Sequence, residues 1–144
     1  MTTPSLARAA APAHPADPDA SSLLRRALQV DAAGSALSAV VLLVGGASLA
    51  ELLGAPGSLA PVAWFLVAWA AALAWLSARE TLRPGAAWTV VALNVLWVVG
   101  TGFELAAGMF SPLGKAVFAS MALFVAVIAE VQYLGIRRVA RATR

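Results

Sequence analysis

The chain has 144 residues, of which 61% are hydrophobic and 12% charged, with 10 Lys and Arg against 7 Asp and Glu. That balance lies outside the range of ordinary soluble domains and reads as a single-domain membrane protein. The absence of Cys and the lone His14 exclude disulfides, thiolate metal centres, iron–sulfur clusters, cysteine nucleophiles and a bis-histidine haem built by this chain alone.

Residues 1–22, "MTTPSLARAAAPAHPADPDASS", are Pro, Ala and Ser with scattered charge and no hydrophobic periodicity, so a disordered cytoplasmic tail is expected there. Three charge-free windows follow, Ala32–Ala50, Leu52–Ala78 and Pro84–Phe103, and a fourth, Ala116–Ile136, is interrupted only by Glu130. About 20 apolar residues at ~1.5 Å each cross a ~30 Å hydrocarbon core. The Gly and Pro of "GAPGSLAP" (Gly54–Pro61), "ARETLRPGA" (Ala78–Ala86) and "GMFSPLGK" (Gly108–Lys115) mark turns between them. The expected fold is all-α: four transmembrane helices over 32–53, 60–78, 86–107 and 115–136, within a domain of residues 23–141 and before a short tail at 142–144. Connections this short make sequential helices antiparallel neighbours, giving an up-down-up-down bundle.

Basic residues set the orientation. Arg8, Arg25, Arg26, Arg79, Arg83, Arg137, Arg138, Arg141 and Arg144 fall on one side of that layout and Lys115 alone on the other. The positive-inside rule then puts both termini in the cytoplasm, with Arg25, Arg26, Arg79, Arg83, Arg137 and Arg138 as cytoplasmic anchors in anionic headgroups. The preference for Arg over Lys, with the high Ala content, points to a GC-rich genome and so to a bacterial inner (plasma) membrane. A rival reading, in which the first segment is a signal peptide cut after "SLA" (Ser48–Ala50), requires an apolar stretch longer than usual for such signals.

Polar residues inside the windows are the candidates for function. On the first helix Asp31, Gly34, Ser38, Val41, Gly45 and Ser48 recur at helical spacing. Gly34, Ser38, Gly45 and Ser48 therefore form a helix-packing seam, because small residues let backbones approach where no hydrophobic drive exists. Asp31 reads as an interfacial charge at the cytoplasmic rim. Asn94, Trp97, Thr101 and Glu104 share one face of the third helix. An Asn in hydrocarbon needs a partner, and counting from the last turn puts Asn94 and Glu130 at one depth. A polar network of Asn94, Glu130, Thr101, Trp97 and Glu104, centred on an Asn94–Glu130 hydrogen bond, is the expected candidate site.

The chain has no Gly-rich phosphate loop, no His-Glu-x-x-His and no serine elbow, so neither enzymatic activity nor a cofactor is expected. The terminal "GIRRVARATR" reads as a membrane anchor rather than a nucleic-acid patch. The stretches "LLRRALQVDAAGSALSAVVLLVGG" and "LNVLWVVGTGFELAAG" resemble small four-span integral membrane proteins of bacteria, to which no activity is assigned. The expected role is a structural or accessory subunit, with the bilayer and a homo-oligomer or larger membrane complex as partners. The alternative is a small transporter or proton-handling element using Glu130 and Asn94.

Overall fold

A computed structural model describes the backbone of residues 18–142. Four helices follow one another: α1 (Pro18–Leu53), α2 (Ala60–Ala78), α3 (Pro84–Ala106) and α4 (Pro112–Ala142). All four are long and apolar enough to cross a membrane. The expected tail lies mostly outside the described residues, but its last part, from Pro18, belongs to α1. Pro at a first helical position gives up no intrahelical bond and has its φ already set for the helix. Both α1 and α4 overrun their charge-free windows, since Arg and Glu are good helix formers and a helix need not stop where the apolar stretch does. At ~1.5 Å per residue α1 is about 54 Å long and α2 about 28 Å.

The first helix is the centre of the assembly. It packs against α2 and α4, and α3 packs against α4; among the described residues α2 and α3 make no close backbone approach. Two apolar clusters hold the helices, one at each end. At the end carrying the Arg residues, Leu24, Leu28 and Ala32 of α1 meet Leu73 of α2, Ala87, Val90 and Val91 of α3 and Ile136 of α4. At the opposite end Ala39, Leu42, Ala50 and Leu53 of α1 meet Leu59, Ala63 and Leu66, with Val117 and Phe118 of α4 against them.

The α1–α4 contact is made by glycines of α4. A Cβ at Gly114 would collide with the Leu53 carbonyl, and one at Gly135 would lie 3.1 Å from Leu24 Cβ. Beside Gly114, the Ser111 N–H donates to Leu53 O at 2.9 Å and the Ser111 hydroxyl to Leu52 O at 3.0 Å. These bonds occupy carbonyls at the end of α1 that have no intrahelical partner. Within α1, Gly46 adopts φ 49° and ψ −134°, a conformation open to glycine at little cost. The helix bends there, and its last turn turns toward α4 and the Lys115 end.

The small-residue seam expected on α1 divides in two. Gly34 faces Phe124 of α4, with 2.9 Å between a built Cβ and the ring, and Ser38 lines a half-open cavity. At Gly45 a Cβ would meet only Leu49 of its own helix, and Ser48 is exposed. The outward surface is apolar, with Val44 83% and Phe103 74% exposed, as expected of helices solvated by lipid tails.

Replacing Gly114 or Gly135 with Leu should destabilise the bundle by about 1–3 kcal/mol, the usual cost of overpacking a close contact. Gly102→Leu, where a Cβ would meet nothing within 4 Å, should leave stability near wild type. Thermal unfolding in a mild detergent measures the difference.

Candidate functional site

Between the two apolar clusters lies a buried polar triad. Asp31 of α1 is 2% exposed, Asn94 of α3 4%, and Gln132 of α4 is fully buried. Asn94 Nδ2 donates to Asp31 Oδ2 at 2.7 Å and to Gln132 Oε1 at 3.1 Å, and Gln132 Nε2 donates to the same Asp31 Oδ2 at 2.8 Å. One carboxylate oxygen therefore takes two amide N–H groups from two other helices. Asp31 stands about 9 Å along α1 from Arg25 and Asn94 about 15 Å along α3 from Pro84, inside the apolar slab in both cases.

The geometry corrects the expected pairing. Asn94 bonds to Asp31 and Gln132, not to Glu130, which is exposed and lines a shallow groove with Val91, Val95, Ala129 and Tyr133. Residues 130 and 132 are ~200° apart around a helix, so turning Gln132 inward turns Glu130 out. Nor is Asp31 a rim charge in an ion pair, since its partners are two amides in the interior. Of the remaining candidates, Thr101 is buried, Trp97 half-buried and Glu104 exposed. Trp97, Thr101 and Glu104 line a second cavity of 270 Å³ beside the α1–α2 turn, and neither Thr101 nor Glu104 reaches the triad.

The triad borders a central cavity of 310 Å³ to which all four helices contribute. Asp31, Ser35 and Ser38 of α1 and Asn94 of α3 supply its polar surface, together with Ser120 of α4. Phe65 and Trp69 of α2, Trp97 of α3 and Phe124 of α4 are its aromatic walls. Phe65 and Trp69 stack one turn apart, with ring centroids 6.3 Å apart. No Lys or Arg among the described residues lines the cavity. Among the described residues there is no group of three or more His, Asp or Glu that could hold a metal ion.

The triad's own bonds leave two oxygens over. Asp31 Oδ1 and Asn94 Oδ1 take part in none of its bonds, while every fully buried side-chain N or O among the described residues has a partner. Asp31 and Asn94 are the two members of the triad that line the cavity.

At the Arg-bearing end the anchors have specific partners. Arg25 donates to the carbonyls of Ser77 and, at 2.8 Å, Arg79, closing the C-terminus of α2, where a cation is favoured. The Arg79 guanidinium lies 3.8 Å over the Trp75 ring. Arg137 donates to the Tyr133 hydroxyl at 3.2 Å, and Tyr133 meets Trp88 edge to face. Arg26, Arg83 and Arg138 are exposed. Comparison with family models, curated proteins and solved structures finds no match.

Sequence reasoning overlooked Gln132 altogether and misplaced Asp31. The available signal was the spacing Ala129, Gln132, Ile136, which is that of a buried helix face.

Asp31→Ala would strand two buried N–H donors and should cost about 1–2 kcal/mol in a membrane setting. Asp31→Asn can turn its carbonyl oxygen to both donors and should lose less than half as much. Chemical or thermal unfolding of the two variants side by side checks this order.

Proposed function

We propose that this chain is a multi-pass protein of a bacterial inner membrane that binds a small molecule in its central cavity, as a compact carrier does. The observation supporting this reading is the cavity lined by Asp31 and Asn94 together with Phe65, Trp69, Trp97 and Phe124. Ligand sites combine an apolar lining with a few convergent polar groups in this way, and 310 Å³ lies at the lower end of their usual size. An ionisable group inside a membrane span marks a functional site by default. The chemistry that this reading invokes is binding and release.

The helices run up-down-up-down and antiparallel, with both termini and the α2–α3 turn in the cytoplasm. Support comes from Arg25, Arg26, Arg79, Arg83, Arg137 and Arg138 standing at one end of the bundle and Lys115 at the other. Because the chain has no Cys, single cysteines report its sidedness directly. Cysteine at Pro56 or Ser111 should react with an impermeant thiol reagent added outside intact cells, and cysteine at Glu80 only after lysis. Labelling of 56 and 111 from opposite sides would overturn the arrangement.

The accessory-subunit reading has its own support in Glu130, a carboxylate exposed on an apolar groove between α3 and α4. A second copy or a partner helix that buries the groove would supply its counterpart. Glu130→Gln should then weaken assembly while leaving the triad, and so the cavity, unchanged.

The carrier reading is tested by filling the cavity. A ligand present at 100 times its Kd stabilises the folded chain by about 2.7 kcal/mol. A thermal-shift screen of small amphipathic molecules should find compounds that stabilise wild type and not Ser38→Trp. If none separates the two proteins, the carrier reading fails.

A further inference from the structure

We infer that the ligand of the central cavity is an organic cation, a protonated amine carried on an apolar body about the size of one aromatic ring. This rests on reading the cavity as a ligand site and adds the chemistry of what enters it.

Three observations lead there. Of the triad, Asp31 and Asn94 line the cavity; the oxygens left over from its bonds, Asp31 Oδ1 and Asn94 Oδ1, can only accept, and both N–H groups of Asn94 are spent on Asp31 Oδ2 and Gln132 Oε1. A ligand that meets them must donate. Next, among the described residues no cationic side chain shares the cavity lining with the carboxylate, and Arg25, Arg79 and Arg137 are engaged at the end of the bundle. A buried charge is stable when paired, so a cationic ligand supplies what the fold leaves out. Finally, Phe65, Trp69, Trp97 and Phe124 offer π-faces that attract a cation and bury its apolar body. A hard divalent ion fits poorly, because it needs six or more oxygens and this lining is mainly aromatic and aliphatic.

The triad divides its work between atoms. Oδ2 binds the two amides and fixes the helices, and Oδ1 faces the ligand. In Asp31→Asn the carbonyl oxygen can keep the first duty while the amide nitrogen replaces Oδ1. An acceptor becomes a donor, and the negative charge is lost.

The full-length protein in nanodiscs of zwitterionic lipid, which do not concentrate amines at the surface, is titrated with benzylammonium and with its neutral counterpart benzyl alcohol. Trp fluorescence and calorimetry report binding. Benzylammonium should bind saturably and about tenfold or more tighter than benzyl alcohol, and Asp31→Asn should abolish that preference. Trp69→Leu and Trp97→Leu, which leave the triad in place, should each weaken benzylammonium at least threefold, so the test stands even if Asp31→Asn folds poorly. Equal or tighter binding of the alcohol by wild type, or undiminished ammonium binding by Asp31→Asn, overturns the cation assignment and leaves the cavity reading intact. Failure of both probes to bind overturns both.

Discussion

A carboxylate and two carboxamides inside an apolar slab have no water to turn to, and the bundle is arranged so that they find one another. Each donor left unpaired there would cost on the order of 1 kcal/mol. Asp31 Oδ2 satisfies two of them at once, at 2.7 and 2.8 Å, and the bond from Asn94 to Gln132 closes the triangle. Hydrogen bonds are directional, so meeting at one point fixes how α1, α3 and α4 are rotated about their own axes. The outward faces follow from that rotation, including the exposure of Glu130 two residues from Gln132. Apolar contacts alone would tolerate a wider range of rotations, because in lipid one greasy face is about as good as another.

The remaining helix is held differently. No residue of α2 belongs to the triad. It is tied by packing against α1, by the clusters around Leu73 and Leu66, and by Arg25 at its C-terminus. Without a polar constraint drawing α2 onto α3, aromatic side chains occupy the space between them, and the cavity is what they leave unfilled. On its other side α1 meets α4, where Gly114 and Gly135 bring backbones together. The molecule thus combines a glycine-mediated helix contact, a polar tie and an apolar helix pair.

Much of the layout could be read from the chain before its structure. The windows between charges located all four helices, and the turn at Gly54–Pro61 gave α2 its limits of Ala60 and Ala78, since Gly and Pro punctuate a chain locally. The site was less legible for a specific reason. Treating charge as the edge of a span placed Asp31 at the membrane surface, although a buried acid differs from an interfacial one only in its partners, and those lie 63 and 101 positions away. Gln132 carries no charge and drew no attention beside Glu130. Asn94 was identified as needing a partner, because an amide in hydrocarbon always does; which partner it takes depends on helix rotation, which no local pattern records. The glycines of α4 escaped notice for a similar reason, as they stand alone rather than in a stripe.

Structural and binding roles usually compete for the same residue, and in a membrane the competition is severe because each polar group is expensive. Here one side chain can serve both, since a carboxylate has two oxygens. The bond to Oδ2 is made whether or not the cavity is filled, so the site is held ready and a ligand need not order it on arrival, which removes part of the usual cost of binding. Occupancy in turn offers a counter-charge to an acid that the fold itself surrounds only with amides. A ligand matched to Oδ1 would therefore stabilise the same helix arrangement that formed its site.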